Sequence, residues 1–124
     1  MSTSTQNSRI RVGIVGMRPH ASWAAVAHLP ALRGLGDDYE VVAVADVTLE
    51  GARAAAEAHD IPQAFGSVAE MVASPDIDLV VVTTRVPQHA DPVRTALEAG
   101  KQVYCEWPLG RTLEEAVELA ALAR

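Results

Sequence analysis

Five strand-sized apolar runs, each followed by a helical pattern, limit what this chain can fold into. Ile10-Arg11-Val12-Gly13-Ile14-Val15 reads as the first strand, residues 39–45 (YEVVAVA) as the second, and Gln63-Ala64-Phe65 as a short third. Residues 78–84 (DLVVVTT) are the clearest buried strand, and residues 102–106 (QVYCE) are the fifth. Helical patterns fall at about 23–33, at 48–59 with Thr48 as its cap, from Ser67 to just before Pro75, at 87–99, and from Thr112 to the end. Ser67-Val68-Ala69-Glu70 and Thr112-Leu113-Glu114-Glu115 each match a capping box, and Gly100 is the residue type that closes a helix in a left-handed turn. Strict strand–helix alternation with short connections calls for a parallel sheet with helices on both faces, a doubly wound α/β fold.

Composition narrows the function classes. The chain has 124 residues, the size of one domain, and only five of them are aromatic (Trp23, Tyr39, Phe65, Tyr104, Trp107). The core must therefore come from Val, Ala, Leu and Ile, the mixture that buried parallel strands use. A net charge of −6 without a basic run leaves no electrostatic footprint for nucleic acid. No apolar stretch reaches membrane length. The opening MSTSTQNSR has no apolar segment of the secretory type, so residues 1–8 are expected to be a flexible polar tail and residues 9–124 the domain. One cysteine, Cys105, permits no internal disulfide, which fits a reducing, cytoplasmic setting; its side chain is expected to face the core. No metal-ligand spacing, Ser/His/Asp arrangement or GxxxxGK motif occurs.

In sheets of this kind ligands lie beyond the carboxyl ends of the strands. Chemistry is therefore sought after Val15, Ala45, Thr84 and Glu106. The first loop is Gly16-Met17-Arg18-Pro19-His20-Ala21-Ser22-Trp23. A dinucleotide fold uses glycines here, so that backbone can approach a pyrophosphate and aim helix N–H groups at it. Only Gly16 is in place, and Arg18 stands where the second glycine belongs. Ser22 reads as a helix cap or a phosphate donor, and Arg18 as a phosphate partner or a solvated charge; both choices stay open. Asp46, after the second strand, is placed to accept from both hydroxyls of an adenosine ribose and to repel a 2′-phosphate, which favours NAD over NADP; the alternative is a surface carboxylate at a turn. The third of these loops offers Thr84, Arg85 and His89, the histidine reading equally as a ligand contact or a satisfied helix-start residue. His28 is expected to pack or cap within the first helix, and His59 to end the second. Glu106 leaves a buried strand at the ligand edge, where a carboxylate is rarely placed for stability alone, and Trp107 follows it.

The segments Val12-Gly13-Ile14-Val15-Gly16, His28-Leu29-Pro30-Ala31-Leu32, Val44-Ala45-Asp46, Ala96-Leu97-Glu98-Ala99-Gly100-Lys101 and Glu106-Trp107-Pro108-Leu109 together resemble the glucose–fructose oxidoreductase, inositol dehydrogenase and MocA family, from about Ile10 to Arg124. The resemblance implies a two-domain, NAD- or NADP-dependent sugar or polyol dehydrogenase. In such proteins a second, sheet-bearing domain supplies the catalytic groups, most of the substrate pocket and the contacts of a homo-oligomer. On that reading this chain is the nucleotide-binding part alone, holds cofactor without turning over substrate, and contains no catalytic residue. Its cofactor-binding set is Gly16, Met17, Arg18, Ser22, Trp23, Asp46, Thr84, Arg85, His89, Glu106 and Trp107. A cis peptide before Pro108 is also implied.

Two departures from the family pattern bear on activity. Trp107 stands where the family's E-K-P motif has a lysine that orients substrate and tunes the acid–base group. The loop at 84–89 keeps the threonine and histidine but lacks the proline and asparagine usual between them. With residues 104–110 (YCEWPLG), these features resemble the branch containing the galactose-pathway repressor. Its members bind dinucleotide and can act as sensors without catalysis. Three readings follow: a cofactor module of an oxidoreductase, a dinucleotide-sensing regulatory protein, and an α/β domain whose altered glycine loop binds nothing.

Overall fold

In the computed structural model, which describes residues 8–20 and 22–124, the alternation becomes one five-stranded parallel sheet. Apart from Ser8, the expected polar tail lies outside the described residues, as does Ala21 of the first loop. The strands are β1 (Ile10–Val15), β2 (Tyr39–Ala45), β3 (Gln63–Phe65), β4 (Leu79–Val82) and β5 (Gln102–Cys105), in the order β3-β2-β1-β4-β5. The chain winds one way from β1 and then back from β4, so the order reverses between these two central strands.

Helices cover both faces. The first begins as a wide π-type turn at Ala24–His28 and continues as α1 (Leu29–Gly34). Pro30 gives a physical reason for the wide turn. It has no N–H to donate to Val26, and its ring would meet that carbonyl in a regular α-helix. α2 (Leu49–His59) starts where Thr48 Oγ1 accepts from the Gly51 N–H at 3.0 Å, and ends at Asp60 in the left-handed region. Its buried side are the small residues Ala52, Ala55 and Ala56, which let the helix lie close on the sheet. Above the opposite face lie α3 (Val68–Ala73), α4 (Ala90–Glu98) and α5 (Leu113–Ala123). Ser67 and Thr112 cap α3 and α5 by accepting from Glu70 N–H and Glu115 N–H, each at 3.1 Å. The Glu115 carboxylate reaches back to the Arg111 N–H at 3.0 Å, one residue before the position a standard capping box uses.

Two elements differ from the sequence expectation. The fourth strand covers 79–82 rather than 78–84. The Asp78 carboxylate turns to Arg11, while the Thr83 N–H and hydroxyl both donate to the Val15 carbonyl, at 3.0 and 2.8 Å, as the last bonds to β1, which ends there. The helix expected over 87–99 divides into a 3₁₀ turn at Val86–Gln88 and α4. Thr84 Oγ1 donates to the Gln88 carbonyl at 3.1 Å and holds that turn apart from the helix.

The core forms two layers. Val12, Ile14, Val44 and Val81 meet Ala24, Leu29, Ala55 and Ala56 on one face. Val15, Val42, Val80 and Val82 meet Met71, Val72, Val93, Ala96 and Leu119 on the other. No aromatic side chain is fully buried among the described residues. The core is aliphatic, in line with the composition.

Candidate functional site

A cleft of about 870 Å³ opens at the carboxyl edge of the sheet, over the point where the strand order reverses. Its volume and place are those of a small-molecule site in an α/β fold. Gly16, Arg18, Ser22, Trp23, Asp46, Thr84 and Arg85, all expected from the sequence, line it.

Local geometry explains Gly16. Its φ is +99°, and a Cβ there would stand 3.0 Å from both the Thr84 backbone nitrogen and Thr83 Oγ1. The loops after β1 and β4 therefore meet only because this position has no side chain. Ser22 Oγ accepts from the Ala25 N–H and the Arg18 N–H, each at 3.2 Å. The cap reading holds, and the hydroxyl proton remains to donate elsewhere. With its N–H committed to Ser22, Arg18 offers the cleft a guanidinium rather than a backbone amide. Among the described residues neither Arg18 nor Arg85 forms an ion pair. His59, on α2, turns Nε2 to the carbonyls of Pro19 and Arg18, at 3.1 and 3.4 Å, and braces the loop.

Asp46 begins the turn after β2. Its Oδ1 accepts from the Val47 N–H at 2.8 Å, while Oδ2 lies 2.9 Å from where a Cβ on Gly51 would be. The carboxylate thus lies against the first turn of α2 with one oxygen unengaged by this turn.

The other expected residues lie elsewhere. Met17 is fully buried and packs with Ala24, Ala55 and Ile61, so its side chain contributes to the core. His89 is 1% exposed. Its Nε2 faces the Thr84 carbonyl at 2.8 Å and its Nδ1 the Pro108 carbonyl at 2.9 Å. Both carbonyls accept, so a ring with one N–H donates to one of them; of the two sequence readings, the structure displays the buried ring at the helix start. Glu106 Oε2 lies 2.6 Å from His28 Nε2. The His28 ring stands edge-on between Trp23 and Tyr104, at centroid distances of 6.5 and 5.5 Å. Trp107 is 90% exposed and outside the cleft lining, and its bond to Pro108 is cis, as the resemblance implies. Half-buried Cys105 packs against the α4 and α5 side of the core. Burial, and secondarily the Glu106 charge, push its thiol up to about 11, which makes it a poor nucleophile at neutral pH.

The cleft also includes His20, Val47, Ser67, Gln88, Asp91 and Thr95. Ser67 was open to sequence reasoning. The third strand ends at Phe65, and the rule applied to the other four loops covers residues 66–68 equally well. Asp91 and Thr95 lie on α4, four residues apart and so on one face of that helix.

A reversed-order parallel sheet with a cleft at the reversal, a positive-φ glycine after β1 and an acid after β2 defines a Rossmann-type nucleotide-binding domain. The comparisons with known proteins go one step further. The oxidoreductase family with an NAD-binding Rossmann fold, GFO_IDH_MocA, matches residues 10–124, and the chain belongs to it. Dehydrogenase aclE of Aspergillus oryzae is 42% identical over 123 residues, covering 95% of this chain and 34% of that protein. The structure of the transcriptional regulator Gal80p from Kluyveromyces lactis superposes with a TM-score of 0.86 at 29% identity, over 95% of this chain and 31% of that one. KijD10, a 3-ketoreductase from Actinomadura kijaniata solved with TDP-benzene and NADP, gives 0.82 at 32% identity, over 94% and 34%. The likeness to the galactose repressor places the chain on that branch of the family. It spans about a third of the length of these relatives. No helix among the described residues is long and apolar enough to cross a membrane.

Proposed function

We propose that this domain holds NAD in the cleft and serves as the cofactor-binding part of an oxidoreductase acting on a sugar, polyol or related CH–OH substrate. The observation that carries the reading is the convergence of Gly16, Arg18, Ser22, Asp46, Thr84 and Arg85, from loops far apart in sequence, on one cleft at the strand-order reversal. These residues fit a dinucleotide. Gly16 keeps the cleft floor clear, and the guanidiniums of Arg18 and Arg85 with the Ser22 hydroxyl suit a pyrophosphate. Asp46 suits the adenosine ribose hydroxyls. Residues 46–51 (DVTLEG) contain no cation to welcome a 2′-phosphate, which supports NAD over NADP. In this family the bound nicotinamide supplies or accepts a hydride, and the protein's part is to bind and orient.

A second reading is a dinucleotide-sensing regulator, and one residue favours it. Trp107 offers an aromatic face but no transferable proton where the family pattern has lysine. The likeness to Gal80p supports the same reading.

Titration of this chain with NADH and with NADPH, followed by tryptophan fluorescence, tests the cofactor assignment, because Trp23 lines the cleft. Saturable quenching with NADH preferred is the expected result. A preference for NADPH overturns the role given to Asp46. Quenching by neither, in this chain and in a longer protein that contains it, overturns the dinucleotide reading. For that longer protein, steady NAD reduction with a panel of sugars and polyols distinguishes the oxidoreductase from the regulator.

A further inference from the structure

The two outer strands of the sheet leave different edges. β3 is three residues long, and so short a strand offers little for a neighbour to pair with. β5 is four residues long, and its ladder with β4 continues to Glu106, whose N–H donates to the Val82 carbonyl at 3.2 Å. The Gln102 N–H donates to the Asp78 carbonyl at 3.1 Å. Along a strand, successive residues address opposite neighbours. Gln102, Tyr104 and Glu106 therefore bond β4, and the backbone groups of Val103 and Cys105 face outward, where the sheet has no further strand. Exposed edges are ordinarily guarded by charges, prolines or a covering loop. Residues 102–105 (QVYC) contain neither charge nor proline. The charges that flank them are engaged within the chain: Lys101 Nζ donates to the Ser74 carbonyl at 3.1 Å, and Glu106 pairs with His28 at 2.6 Å.

Both faces beside this edge are apolar. On the α4 and α5 side a groove of about 480 Å³ is lined by Val103, Cys105, Leu109, Leu119 and Leu122. On the other side Tyr104 is 54% exposed, with the His28 ring edge-on to it. We infer that the β5 edge pairs with a second copy of this chain, the two strands running antiparallel about a two-fold axis at Tyr104. This register centres on the unguarded residues and is self-complementary, as a two-fold contact must be. Val103 and the partner's Cys105 stand opposite and exchange both their hydrogen bonds. Symmetry repeats the exchange, so every outward N–H and C=O of Val103 and Cys105 is answered. Tyr104 meets the partner's Tyr104 as a cross-strand aromatic pair. Gln102 lies opposite the partner's Glu106, an amide donor against a carboxylate, so no like charges face each other. The apolar grooves of the two copies lie on the same face and close against one another.

Analytical ultracentrifugation of this chain over a dilution series tests the pairing. The wild type should form a dimer that dissociates on dilution, because the contact is short. A net charge of −6 on each copy opposes association, so added salt should strengthen it. Tyr104→Lys sets two like charges directly opposite at an exposed position and should weaken the dimer at least tenfold in a natively folded chain. Val103→Pro removes an N–H that β4 does not use and should abolish the dimer with the five-stranded sheet intact, which circular dichroism checks. Register is read by cross-linking in a Cys105→Ala background. Tyr104→Cys brings two thiols onto strands with Cα atoms about 4.5 Å apart and should form a disulfide dimer under oxidised glutathione. Gln102→Cys, which faces the partner's Glu106, should not. Cross-linking at Gln102→Cys in place of Tyr104→Cys overturns the register. A wild type that stays monomeric at millimolar concentration overturns the pairing, as does a dimer that Tyr104→Lys and Val103→Pro both leave unchanged. So would a longer protein containing this chain that is monomeric yet protects the Val103 and Cys105 amides from hydrogen exchange, since its own chain would then occupy the edge.

Discussion

The two edges of the sheet treat their charges in opposite ways. At the amino edge Arg11 is saturated within the chain. Its backbone N–H, Nε and Nη2 reach the Asp78 carboxylate at 2.9, 3.1 and 3.2 Å, and further contacts go to Asp76 and the Pro75 carbonyl. The Arg11 side chain, then its backbone N–H, hold the Asp78 carboxyl below the usual carboxylate range. At the carboxyl edge Arg18 and Arg85 line a cleft without an ion pair among the described residues, and Asp46 satisfies one oxygen on its own turn. Charges answered inside the chain serve stability. Those left unanswered beside a cleft are where local rules are broken for the sake of a ligand.

The contrast can be broken by substitution. The largest effect should come from Gly16→Ala, which sets a Cβ against the Thr84 backbone at a φ that side chains rarely adopt. A loss of roughly 3 kcal/mol is expected from strain and overpacking together. Denaturant unfolding reads it, and cofactor binding should vanish even where the variant remains folded. Next, Arg18→Gln should weaken NADH about tenfold, the worth of about 1.4 kcal/mol, while the unfolding midpoint stays put. A lowered midpoint would mean that the two edges do not differ as described.

Asp78→Asn should do the reverse, lowering stability modestly at neutral pH with NADH affinity unchanged. The carboxyl and its partner are each more than a third exposed, so solvent screens much of the interaction. Its pH dependence has a definite sign. The folded-state value is depressed below 3.8, so the stabilisation is present above the ordinary carboxylate range and is lost as pH falls through the depressed value. Unfolding of variant and wild type should therefore converge in acid. A constant difference down to the lowest pH would assign the effect to something other than the Arg11–Asp78 pair.

The smallest change sharpens the contrast most. Gly51→Ala brings a Cβ to 2.9 Å from Asp46 Oδ2, the end of a flexible side chain, and 3.0 Å from Thr48 Oγ1, the cap of α2. Alanine also suits the first turn of α2 better than glycine, by up to about 1 kcal/mol. Stability should change little, since crowding of the Thr48 cap offsets that gain, while displacement of the Asp46 carboxylate weakens NADH about two- to threefold. Affinity unchanged in that variant would remove Asp46 from the binding account.

By itself the sequence determined the order and type of the elements and the edge of the sheet that carries a site. Those properties are local or periodic. Apolar runs make buried strands, Thr48, Ser67 and Thr112 start helices at their own third neighbours, and strand–helix alternation permits few topologies. Even the end of the fourth strand lay beyond this reach, because β4 stops where its neighbour β1 ends at Val15, 67 residues before Val82. Only the tertiary structure decided which way each polar or large side chain in the loops would turn. Met17 and Arg18 are adjacent, yet one enters the core and the other the cleft. Glu106 finds His28 across 78 residues, and His89 finds Pro108 across 19. No periodicity encodes such a meeting, since it depends on how two separately formed elements pack, and that packing places Trp107 outside the fold.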